Sequence, residues 1–509
     1  MQGRSDANAE LLDAGALCGH LVAGDSVHAF LAEHRRVLFP DGLFEDLFPS
    51  GRGRPSVPAD VIATVMVLQA LEGLSDRDAL AQLRTNIAWK VAAGLSLADE
   101  GFHPTVLTLW RNRLRASDRP ERIFDAVRAV IAETGLLAKR HRRALDSTVL
   151  DDAVIRQDAI MQLVAQIRRV RRLVPAAKAL TLTAHDYDHD PGKPPCAWDD
   201  PAAIDAVVTA LVGDALVVLD ALSDVAVDDQ QAEAVGLLAL VAGQDVEPGP
   251  EDGTWRIAPR TTPDRVVSVV DPESRHVHKT NHNYRDGFKA HVAVEPASGL
   301  VTACALTAGN VGDGQAATGL LEGEPEGLEI LADSAYGSGE VRAALTEANH
   351  TAHIKPIPLQ APVEGGFTLD DFTVDFDAAT VTCPAGITVT ITPKRHATFG
   401  AKCGGCALRD RCTTSKHGRK LKLHEHHALL AAARAHAGTD AFIETYRAHR
   451  PLVERSIAWL VARGHRKVRY RGVDRNTIWL AHRCAAVNLR RLINLGLHRG
   501  QDTWAIATA

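Results

Sequence analysis

The sequence has no continuous apolar run of the roughly 18 residues that a membrane helix needs. Its opening, MQGRSDANAELLDAG, lacks the basic-then-apolar order of a secretory signal. A cytoplasmic protein that stays out of the membrane is expected. Cysteine is scarce, with eight in 509 residues and four of them close together. That excludes the dense cross-linking of a small secreted scaffold and leaves thiol or metal chemistry. Positive charge is also short overall: the formal net charge is −6, which taken as an average weighs against a nucleic-acid partner, because phosphate neutralisation supplies most non-specific affinity. The average conceals an asymmetry. From Asp186 to Glu251 there are fifteen acids and one lysine, whereas from Asp440 to Gly500 thirteen arginines and lysines stand against four acids. A basic segment separated in this way can bind DNA even in an acidic chain.

The length suffices for roughly two to four domains and a large core. From about Phe30 to Leu114 the chain reads as helices, with Ser75 before DRDAL and Pro58 before ADVIATV as start signals. Arg52, Arg54, Arg111, Arg113 and Arg115 there are spare arginines, able to meet phosphates or simply solvated. A helix from about Glu121 to Leu137 leads into RALDSTVL, a first strand, and then a long, mostly helical and acidic stretch intervenes. Strand signals return in YRDGFKAHVAVEPASGLVTACALTAGN, a hairpin by its pattern, and continue in LEILADSAYG and HTAHIKPI with helices between. The expected core is α/β, a mixed five-stranded sheet with helices. Around it stand an N-terminal all-α domain (1–118, for DNA binding or dimerisation), a helical insertion (151–270) and a small β-rich insertion with four cysteines (358–427). The core itself is expected over 119–150, 271–357 and a helical part at 428–509.

Three acids stand out: Asp146 in RALDSTVL and Asp333 in LEILADSAYG at or just past apolar β-type runs, and Glu454 in a stretch with helical spacing. Singly each has an ordinary reading. A strand-ending aspartate commonly caps the next turn, and Glu454 can pair with Arg450 or Arg455. Together they suit a pair of divalent ions, which activate a water or hydroxyl on one side of a phosphodiester and stabilise the leaving oxygen on the other.

In that setting the chain resembles the DDE transposases of bacterial insertion sequences, whose catalytic domain is ribonuclease H-like, including the N-terminal helical domain of the InsH-type group. DST at Asp146 is similar to the family's first acid. ADSAYGS is similar to its second, with Ala335 and Tyr336 in the expected places. DGFKAHVAV, with Lys289, resembles the family's second strand, and HIKP, with Lys355, the strand after the second acid. In the third signature Arg450 precedes Glu454 by four, but the tyrosine is shifted to Tyr446 and the lysine expected seven after the glutamate is Val461, with Arg463 or Lys467 as substitutes. The resemblance implies a transposase that cleaves the ends of its element and joins the freed 3′ hydroxyl to target DNA. Asp146, Asp333 and Glu454 would be its catalytic acids, with Mg2+ or Mn2+, as two ions, on them. Its partners would be double-stranded DNA, as terminal inverted repeats and target, and a second copy of the chain. A DNA-binding protein without catalysis and a metal-dependent nuclease without joining are the competing readings.

Cys383, Cys403, Cys406 and Cys412 approximate a zinc-ribbon spacing, for which a structural Zn2+ closing a small β unit is one reading and four reduced thiols the other. RGHRKVRYRG, with Arg463, Arg466, Lys467, Arg469 and Arg471, follows the Glu454 helix directly and is the expected DNA contact, together with Arg450, Lys355 and Lys289. SRHVHKTNHNYR (Ser274 to Arg285) and KHGRKLKLHEHH (Lys416 to His427) are further basic candidates.

Overall fold

The computed structural model describes residues 1–5, 11–259, 262, 264–280 and 283–507. Its centre is a sheet of β1 (Arg142–Asp151), β2 (Arg275–Thr280), β3 (Asn283–Glu295), β4 (Leu300–Ala308), β5 (Glu329–Ala332) and β6 (Thr351–Ile354). The order is β2-β3-β1-β5-β6, with β4 on β3. β3 runs antiparallel to β1 and β4, while β1, β5 and β6 are parallel to one another. This mixed sheet flanked by helices is compatible with a ribonuclease H-like core. Alternation along β1 divides its side chains: Ala144 and Leu150 enter one core and Leu145 another on the opposite face.

The sheet has six strands rather than the five expected. β3 runs on past the pairing with β1, and β2 folds back on that overhang, His276 opposite Asp286. RHVHKT carries no apolar alternation, so composition did not mark it as a strand. Asn281 and His282 of that basic stretch lie outside the described residues.

The N-terminal helices are α1 (Val27–Leu38), α2 (Ala59–Glu72), α3 (Asp76–Thr85), α4 (Ile87–Ala93), α5 (Thr105–Arg115) and α6 (Arg122–Glu133). Ser26 and Ser75 cap α1 and α3 through their hydroxyls, which accept the amides of Ala29 and Asp78. α2 is buried on nearly all sides. These helices share one core with the Asp146 face of the sheet, through Val292 and Leu331 among others.

The acidic stretch folds as α7 (Ala159–Leu173), α8 (Pro201–Ala221) and α9 (Asp229–Gln244) around its own core. By length and composition α8 is apolar enough to cross a membrane. Asp205, Asp214 and Asp220 interrupt it, which is why a count of continuous apolar residues passes over it. Val208, Leu211, Ala215 and Val218 pack inward, and buried Asp214 is satisfied by the amides of Thr183 and Ala184 and the Tyr187 hydroxyl. α10 (Gly339–Glu347) joins β5 to β6, and after the sheet come a small β unit with its own core, α11 (His427–Ala437), α12 (Asp440–Val461), α13 (Val473–Asn494) and a final hairpin of Leu497–Gly500 with Thr503–Ile506.

Two buried histidines, His482 on α13 and His465 stacked on Trp479 of the same helix, set an acid limit on stability. Burial pushes His482 down to about 3 and His465 down to about 4. Both folded values lie below the ordinary 6.5, so their contribution is full above that pH and is lost as pH falls. Each takes up a proton only on unfolding, for a slope of up to about 1.4 kcal/mol per pH unit. Chemical denaturation is expected to show stability dropping from pH 6.5 towards 4, with a shallower slope in His482→Gln. A wild-type profile flat across that window would contradict this.

Candidate active site

The pairing of β1 with β5 places Arg142 beside Glu329 and Ala144 beside Leu331. Carried two residues further, the same register sets Asp146 opposite Asp333. Partners in a parallel pair point to the same face, on strands about 4.8 Å apart. Asp333 follows β5 as the N-cap of a short turn, its Oδ1 accepting the Ala335 amide at 2.9 Å. Asp146 sits mid-strand, and its Oδ1 accepts the Ser147 amide at 2.9 Å.

Arg450, from α12, closes over Asp146 with Nη2 to Oδ1 at 2.9 Å and Nη1 to Oδ2 at 3.2 Å. This is a two-point, charge-assisted clamp. Both side chains are largely buried, at 13% and 10% exposure. Burial raises the Asp146 carboxyl, the Arg450 charge opposes that rise, and the negative charge of Asp333 adds to it. Tyr446, one turn earlier on α12, is pushed up by burial, and both aspartate charges add to the effect. α12 therefore lies across the acid pair. Glu454 stands one turn beyond Arg450 on the same helix and is exposed.

Among the described residues no three His, Cys, Asp or Glu side chains converge closely enough to hold a metal ion. The expected three-acid cluster is not assembled; the Arg450 guanidinium supplies Asp146 with its counter-charge instead. The donor set still suits a hard divalent ion: two carboxylates share one face, close enough for one charge to raise the other's pKa.

The expected basic contacts divide. Lys355 is exposed, and the register of β5 with β6, Ala332 beside Ile354, continues to Lys355 beside Asp333. Arg466 donates to Thr148 Oγ1 at 2.6 Å and to the Val149 carbonyl at 3.0 Å, and its own carbonyl accepts the Asp151 amide. The basic segment thus runs alongside the end of β1. Arg469 donates to the Gly73 carbonyl, while Arg463, Lys467 and Arg471 are exposed. Arg450 is spent on Asp146, as described.

Lys289 is on the other face of the sheet. Asp146 pairs with Val292, so Lys289, three residues away, points backwards. Its Nζ binds Asp313 at 2.8 Å and the Val311 carbonyl at 2.9 Å, and Ser147 Oγ donates to the same Asp313 at 2.8 Å. Tyr336 is buried near this back-face group, its phenol pushed up by burial and by the charges of Asp313, Asp146 and Asp333. Sequence reasoning missed this support, although the period of two along β3 already assigns Lys289 and Val292 to different faces.

Asp151 pairs with Arg285 at 3.2 Å, and Asp152 accepts the Ser274 hydroxyl at 2.6 Å, so neither joins the acid pair. Of the N-terminal arginines, Arg111 pairs with Asp76 and stacks on Tyr470 at 5.2 Å, and Arg113 stacks on Phe48 at 4.4 Å. Arg52, Arg54 and Arg115 are exposed.

In the small β unit, Cys383, Cys403, Cys406 and Cys412 all line one cavity of about 20 Å³. Burial raises the Cys412 thiol, Arg419 opposes that, and the other three thiols add to it. The Arg419 amide donates to Cys403 Sγ at 3.5 Å.

Two family models match the chain. One, a transposase DDE domain, covers residues 382–493, a span that holds Glu454, the basic segment and all four clustered cysteines. The other, a transposase domain (DUF772), covers residues 25–113, from α1 through most of α5. Asp146 and Asp333 fall outside both. No curated protein and no solved structure matches the chain.

Proposed function

Since both family matches support an insertion-sequence DDE transposase, we propose that this chain cleaves the ends of its element and joins the freed 3′ hydroxyl to target DNA. Asp146, Asp333 and Glu454 are the acids of one site in this reading. The observation that carries it is the register that sets Asp146 opposite Asp333, beneath a helix that bears Glu454 one turn from Arg450. Asp146, Asp333 and Glu454 would hold magnesium or manganese, as two ions, which would supply activation of the attacking oxygen and stabilisation of the leaving one. Arg450 neutralises Asp146 in the metal-free chain and stays on the acid face as a cation for a phosphate. Lys355 and the segment from Arg463 to Arg471 draw in the DNA backbone. Joining two ends calls for at least a dimer on DNA.

The test is incubation of the purified chain with Mg2+ and duplexes carrying the element's ends, with products separated on denaturing gels. Cleaved and joined strands are expected. Cleavage without joining assigns a nuclease, binding without cleavage an inactive binder, and neither product nor binding rejects the reading.

We propose that the four clustered thiols, which line one cavity, draw together on a structural Zn2+ when it binds. They gather in a unit whose own core is small, where metal binding contributes directly to folding. Metal analysis of protein purified without chelator is expected to find zinc, and Cys403→Ser with Cys406→Ser is expected to release it and lower the unfolding midpoint. Four freely titrating thiols in metal-free protein of unchanged stability would refute the assignment.

A further inference from the structure

Arg483, in the middle of α13, is 3% exposed and pairs with no carboxylate among the described residues. Its guanidinium donates to the carbonyls of Leu460 at 2.9 Å, Ala70 at 2.7 Å, Leu71 at 3.1 Å and Trp459 at 2.5 Å. Those bonds satisfy its hydrogens but leave its charge unneutralised. Arg483 lines a cavity of about 200 Å³ together with Arg463, Arg490, Arg491, Asn494 and Trp459, and no acid is among the lining residues. Arg455 and Arg491 both stack on the Trp459 ring, at 5.2 and 5.7 Å. Burial pushes Arg483 down to about 10, and the charges of Arg463 and Arg490 add to the effect. Glu72, the carboxylate whose pKa registers the Arg463 charge, is taken up by His28 and the Trp89 indole.

Five guanidinium groups around one indole and one cavity repel one another unless an anion sits among them. We propose that this cavity seats a phosphate of the DNA backbone, outside the acid site. The inference rests on the transposase reading for its source of phosphate. The exposed Arg455, Arg463 and Arg490 extend the charge outward from the cavity, as an extended polyanion requires and a single small ion does not. The position also fits: Trp459 lies five residues beyond Glu454 on α12, about 7.5 Å along the helix axis. A duplex held both at Glu454 and at this cavity is fixed in its path past the acids.

The experiment is fluorescence anisotropy of a labelled DNA duplex over a range of salt concentrations, with wild type, Arg490→Ala, Arg463→Ala/Arg490→Ala, Arg455→Ala and Arg490→Lys. All three arginines are exposed, so the unfolding midpoint should hold. Removing one arginine from a phosphate is expected to lower the slope of log affinity against log salt by about 0.9, with Arg490→Lys restoring most of it. A double variant with the wild-type slope and affinity overturns this inference and leaves the transposase reading standing. A wild type that binds no duplex overturns both. If inorganic phosphate raises the unfolding midpoint of wild type but not of the double variant, while DNA slopes stay equal, the cavity belongs to free phosphate and the proposal fails.

Discussion

Asp146→Asn is expected to abolish DNA cleavage and strand transfer together, by about a thousandfold or more, while the chain stays folded and still binds DNA. Asparagine keeps the shape and one acceptor for Arg450, so the clamp loses its charge pairing but not all of its hydrogen bonding, at about 1–3 kcal/mol. What it removes is the negative charge that the proposed pair of ions needs opposite Asp333. Asp333→Asn should match it, because in the proposed site both carboxylates, brought opposite each other by continuing the register of β1 with β5, hold the same ions. Both variants are compared with wild type on the same gels, under Mg2+ and under Mn2+. Cleavage within tenfold of wild type in either variant would remove that residue from the site.

The largest loss of stability is expected elsewhere, from Glu324→Gln. Arg143, three residues before Asp146 on β1, is 1% exposed. Its Nε and Nη2 reach the two Glu324 oxygens at 2.8 and 2.7 Å, a two-point bond whose partners have side chains only 2% and 11% exposed. Removing the acid strands a buried guanidinium, at about 3–5 kcal/mol. Arg128 and Asp125 make the contrast, at 3.5 Å and with both side chains exposed; Asp125→Asn should cost under about 1 kcal/mol. Urea unfolding of the three proteins decides it. Equal midpoints for Glu324→Gln and wild type would show that Arg143 finds solvent or another partner. Replacing both members by apolar residues of similar size should recover most of the loss, since the pair gives up in desolvation much of what it gains in attraction.

Part of this protein was set by neighbours in sequence. The hydroxyls of Ser26 and Ser75 find amides three residues on, so their helices start where a short pattern says they must. Asp333 caps the turn that follows β5 for the same local reason. Hairpin spacing between β3 and β4, the apolar alternation of β1 and the spacing of the four cysteines are likewise properties of a few adjacent residues. None of these says which acid meets which. Arg450 reaches Asp146 across 304 positions; the local reading had offered it to Glu454 or to DNA. Lys289 faces Asp313 because pairing with β1 turns it to the back of the sheet. β2 joined the sheet without an apolar pattern because β3 overhangs its partner and leaves backbone groups to be paired. Arg483 is one of the thirteen arginines and lysines between Asp440 and Gly500 by sequence, and only burial against α2 leaves its charge without an acid among the described residues. Caps, turns and strand patterns are decided within a few residues, where the chain carries its own instructions. Register, facing and charge pairing are decided between segments, where only the packed fold determines which side chains share a space.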